Sequence, residues 1–70
     1  MTNLIDTERA MLDLEGAPWR YGAAKERAIA ERFGMEPVRY RQQLAALIRR
    51  PEAMEYAPIV VGRLRRAVGL

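Results

Sequence analysis

Seventy residues, half of them hydrophobic and carrying a net charge of +3, allow one small core and one domain spanning residues 1–70. The chain has no cysteine and no histidine, which excludes a disulfide framework, thiolate or imidazole metal sites and the commonest general base. Serine is absent as well, leaving Thr2, Thr7 and three tyrosines as the hydroxyl inventory, so no catalytic residue, cofactor, metal or small-molecule substrate is expected.

The chain opens on a short lead-in, Met1 to Ile5. Asp6 or Thr7 can cap a first helix, with Glu8 in the turn where the helix dipole favours negative charge. Leu4 or Ile5 can pack back on it as a hydrophobic staple. Ala10, Met11, Leu14 and, in part, Leu12 form its buried stripe, while Arg9 and Asp13 stand four apart on the exposed side. Gly16 and Pro18 end it. Its expected role is to cover the helical pair that follows.

Ala17 to Gly22 connects to the next helix and carries Trp19 and Tyr21. Tryptophan in such a connector plugs a core; the alternative is that Trp19, Arg20 and Tyr21 touch a sugar-phosphate backbone. Gly22 is the expected N-cap of a second helix over about Ala23 to Phe33, with Ile29 and Phe33 facing in and Ala30 at the close helix crossing. Lys25 lies near its start, free to meet a phosphate. Gly34 sits where a left-handed C-cap glycine belongs. Pro37 then opens a third helix, to about Arg49, because proline suits the first helical position.

The third helix turns Tyr40, Leu44, Leu47 and Ile48 inward and leaves Val38, Arg39, Arg41, Gln42 and Ala45 outward or flanking. Arginine can pair with guanine and glutamine with adenine through two bonds, and valine can touch a thymine methyl. Val38, Arg39, Arg41 and Gln42 are therefore the candidate base-facing residues. Helix, short glycine turn, helix is the spacing of a helix-turn-helix, whose second helix enters the major groove of double-stranded DNA. An ordinary αα-corner gives the same pattern, and a polar outer face is the rule on soluble helices.

Pro51 ends the third helix and opens a short turn, PEAMEY; Pro58 starts a C-terminal helix with Ile59, Val60, Val61, Leu64 and Val68 as its apolar stripe. The expected architecture is all-α: a three-helix helix-turn-helix core plus that last helix. Charge divides along the chain. Through Glu36 five basic residues face seven acidic ones, a balance of −2, and from Pro37 onward seven arginines face Glu52 and Glu55, a balance of +5. Eleven of the twelve basic residues are arginine, suited to forked contacts with phosphate. Lys25, Arg49, Arg50, Arg63, Arg65 and Arg66 are the candidate phosphate-binding residues.

The segments ERAMLDLE, AAKERAIAERFGMEPVRYRQQLAALI, PEAMEYAP and VGRLRRAV resemble a small, uncharacterised actinobacterial family with a domain-of-unknown-function label, also met in actinobacteriophages. The most specific piece is AIxExFGMxxxRYxQxL, carried by Ile29, Glu31, Phe33, Gly34, Met35, Arg39, Tyr40, Gln42 and Leu44. That family is similar to helix-turn-helix transcription factors, and its central segment to the DNA-reading part of sigma factors. The resemblance implies DNA association and no catalytic residue. Pro37 departs from the small polar residue commoner at such helix starts.

The expected function is thus that of a small, cytoplasmic, double-stranded-DNA-binding transcriptional regulator. MTNLIDTERAM lacks a secretory pattern and no apolar run approaches the roughly 18 residues of a membrane span. The alternative is a protein-interaction module docking on the transcription machinery or a host regulator through Ile59, Val60, Val61 and Met54. A homodimer paired through the C-terminal helices is compatible with both.

Overall fold

The computed structural model describes residues 3–70, which form five α-helices and no strand. Met1 and Thr2 of the expected lead-in lie outside the described residues. The helices are α1 (Asp6–Gly16), α2 (Gly22–Phe33), α3 (Pro37–Leu47), α4 (Pro51–Tyr56) and α5 (Pro58–Ala67). The all-α expectation holds, with one helix more than anticipated. PEAMEY is not a bare turn: Pro51 stands at its first helical position, Ala53 is fully buried, and the Ala57 N–H closes the helix on the Ala53 carbonyl at 2.9 Å. No helix among the described residues is long and apolar enough to cross a membrane.

Local chemistry explains the boundaries. At the start of α1, Ile5 rather than Asp6 or Thr7 occupies the cap position. It has no side-chain oxygen to offer; instead Glu8 Oε1 accepts from the Ile5 N–H at 3.0 Å, one half of a capping box. Ile5 is exposed and Leu4 is buried, so Leu4 alone of the expected staple pair reaches the core. Arg9 folds back onto Asp6 and the Leu4 carbonyl and does not pair with Asp13. Asp13 accepts the Tyr56 hydroxyl at 2.9 Å, which ties α4 to α1. Tyr21, not Gly22, caps α2, because the Tyr21 carbonyl accepts from Ala24 and Lys25.

Gly34 closes α2 in the left-handed region, at φ 61°, with its N–H on the Ala30 carbonyl at 3.0 Å. A Cβ there would meet nothing within 4 Å, so the cost of substitution is the backbone alone. Gly34→Ala is therefore expected to lower the unfolding free energy by about 1–2 kcal/mol, read as an earlier urea midpoint at unchanged slope. Pro37 stands at the start of α3 as expected, and Ile48 closes that helix.

The core widens the expected role of α1. Its fully buried large side chains are Met11, Leu12 and Leu14 of α1 and Val61 of α5, joined by Ile29, Tyr40, Leu47 and Ile48. So α1 does pack over α2 and α3 as expected, and it also seats α4 and α5. Ala30, expected at a tight crossing, is exposed. The close approach lies between α1 and α5, where a Cβ on Gly16 would stand 3.2 Å from Val60 Cγ2. Trp19 is half-buried against the core and donates its indole N–H to the Leu14 carbonyl at 2.6 Å, which fixes the connector.

Candidate nucleic-acid interface

The face of α3 that matters is set by what the other face must do. Tyr40, Leu47 and Ile48 are buried and Leu44 is half-buried, so the helical repeat sends Val38, Arg39, Arg41, Gln42 and Ala45 to solvent. The four candidate base-facing residues are thus brought onto one exposed surface. Arg39 and Gln42 have no side-chain hydrogen-bond or ion-pair partner among the described residues. Arg41 reaches Glu26 on α2 at 3.2 Å, an exposed pair that holds it only loosely. No carboxylate occurs from Pro37 to Arg50, so nothing on α3 itself opposes an anion.

The orientation of α3 rests on a polar cluster that the sequence did not flag. Glu15, at the end of α1, is only 6% exposed. It accepts the Tyr40 hydroxyl at 2.6 Å and the Lys25 ammonium at 2.8 Å, joining α1, α2 and α3 at one carboxylate. Its backbone carbonyl accepts Arg63 of α5 at 2.9 Å. The Tyr40 ring also stacks on Phe33, with centroids 5.7 Å apart. A cavity of about 190 Å³ opens beside the cluster, between Ile29, Pro37 and Leu44. The one sequence signal for Glu15 is its place four residues after Met11, on the buried stripe of α1.

Burial, then the hydrogen bond to Glu15 and its negative charge, push the Tyr40 phenol well above its ordinary value of 10.0. The Tyr56 phenol is raised as well, first by its hydrogen bond to Asp13. Because folding favours the protonated Tyr40, its contribution is complete below about pH 10 and is lost as the unfolded chain ionises above it. Above pH 10 the wild type should therefore lose stability faster than Tyr40→Phe, by up to about 1.4 kcal/mol per pH unit. Urea unfolding of both proteins between about pH 9 and 11 checks the difference in slope.

The six candidate phosphate-binding residues divide into two groups. Lys25 is not free: it is held by Glu15. Arg50 binds Glu8 and, at 3.5 Å, Glu52. Arg63 holds the Glu15 carbonyl, and Arg65 holds the Ile48 and Arg50 carbonyls, so both close the end of α3 and α5 onto the core. Arg49 and Arg66 are exposed and have no partner among the described residues. The same is true of Arg20, which the sequence offers as a sugar-phosphate contact beside Trp19 and Tyr21, and of Arg27 and Arg32, which are not among the candidate phosphate-binding residues. Of the surface expected for protein docking, Val61 is fully buried and Val60 and Met54 are half-buried; Ile59 alone is open, at 85% exposure.

No curated protein and no solved structure matches the chain. Residues 3–68 match the family described as "Protein of unknown function (DUF3263)". That match spans nearly the whole chain, through all five helices and the Glu15 cluster that joins the first three. The chain belongs to the DUF3263 family.

Proposed function

We propose that this protein binds double-stranded DNA, with α2, the Gly34 turn and α3 acting as a helix-turn-helix and α3 as the helix that enters the major groove. The observation that carries this reading is the outer face of α3. It presents Val38, Arg39 and Gln42 to solvent, leaves the last two without a polar partner among the described residues, and carries no carboxylate. An arginine and a glutamine three apart on one helix face suit adjacent base edges. Arg49, just past α3, and Arg66 on α5 are the cations available for phosphate. Arg41 joins them when it leaves Glu26. Lys25, Arg50, Arg63 and Arg65 serve the interface by holding its helices in place.

In this reading the protein is a small transcriptional regulator. A duplex of random sequence added to the isotopically labelled chain tests it. The amide resonances of Val38, Arg39 and Gln42 are expected to move first and furthest. Movement confined to α4 and the start of α5, or none at all, would count against it.

A further inference from the structure

Beside the base-facing residues of α3, and sharing Arg41 with them, lies a feature that DNA binding does not explain. Leu44, Ala45 and Ile48 of α3 face Leu64, Ala67 and Val68 at the end of α5 across an apolar groove of about 210 Å³. The alanines keep its walls low, and Val68 stands 61% exposed at its edge. Arg41 lies on its rim. The two segments that build it, residues 37–50 and 58–70, contain seven arginines and no carboxylate. An apolar floor with an arginine on its rim, built by two segments that carry no acidic side chain, suits a definite partner chemistry.

We propose that this groove docks an acidic amphipathic helix of a partner protein. Its volume is below the roughly 300 Å³ at which small-molecule sites begin, and fits anchoring side chains better than a separate ligand. An amphipathic helix delivers such anchors at spacings of three and four. Its remaining acidic residues meet Arg41 and the arginines beyond it, and complementary charge sets both partner choice and association rate. A second copy of this chain does not fit: a two-fold contact through the groove would set these arginine-bearing helices against themselves. The inference does not rest on the DNA reading, although the groove shares Arg41 and Ala45 with the exposed face of α3.

The test uses a fluorescein-labelled peptide of about four helical turns, with leucines along one face and glutamates elsewhere. The control is a scramble of the same composition with its leucines dispersed. The peptide is expected to bind the full chain saturably and to shift the amide resonances of Ala45, Ile48, Leu64, Ala67 and Val68. The scramble, and the peptide against Val68→Asp, should bind at least tenfold more weakly. Ala67→Glu repeats the test at a second exposed position, so misfolding of one variant does not decide it. Equal binding of peptide and scramble would reduce the effect to bulk charge and overturn the proposal. So would shifts outside the groove, no binding at all, or concentration-dependent self-association that Val68→Asp abolishes.

Discussion

Glu15→Ala is expected to lower the unfolding free energy by about 2–4 kcal/mol, a large share of what a domain this size has. Alanine leaves the Tyr40 hydroxyl buried with no acceptor, and the desolvation of that group is no longer offset. Lys25 contributes less to the loss, because its side chain is 31% exposed and can turn to water. Glu15→Gln keeps an acceptor for Tyr40 but offers Lys25 no charge, so its cost should fall between wild type and alanine. Replacing Glu15 by leucine together with Tyr40→Phe and Lys25→Met should recover much of the loss, since a well-packed apolar set can replace a buried ionic one. Thermal unfolding measures all three, at roughly 4–8 °C per kcal/mol for a domain of this length. A Glu15→Ala midpoint equal to wild type would mean that the carboxylate does not clamp α3.

The second large effect concerns recognition. Arg39→Ala with Gln42→Ala should weaken binding to a selected duplex by about 2–4 kcal/mol, or roughly thirtyfold to a thousandfold. The pair is exposed and has no hydrogen-bond or ion-pair partner among the described residues, so stability should stay within about 0.5 kcal/mol of wild type. That separation of effects is the diagnostic. Lys25→Ala should do the reverse, costing stability through Glu15 while changing the affinity of the folded protein little. Anisotropy titrations beside urea unfolding give both quantities. An unchanged affinity in the double variant would remove α3 as the reading helix.

What could be read from the sequence follows from how local each signal is. Gly34, Pro37 and Pro58 act on their own backbone, so the helix boundaries near them were visible without tertiary knowledge. At Pro51 only the end of the preceding helix is legible, and the short α4 reads as a turn. The inward face of α3 was visible too, because period alone separates Tyr40 and Leu47 from Val38 and Gln42. The Glu15 clamp was not, since its partners lie 10 and 25 residues away and a glutamate near a helix end normally faces water. The arginines failed for the same reason. Nothing in the local pattern distinguishes Arg65, which closes the Ile48 and Arg50 carbonyls, from Arg66, which has no partner among the described residues. That α1 also seats α4 and α5 was hidden because Met11, Leu12 and Leu14 in a short helix look the same whichever elements they pack against.

The most direct test of DNA binding is its salt dependence. A random-sequence duplex is titrated with wild-type protein at about 50 mM and again at about 200 mM monovalent salt. Release of counterions from even a few phosphates predicts an affinity lower by roughly tenfold to a hundredfold at the higher salt. Affinity unchanged by salt, or no binding at the lower concentration, would contradict DNA recognition by this protein.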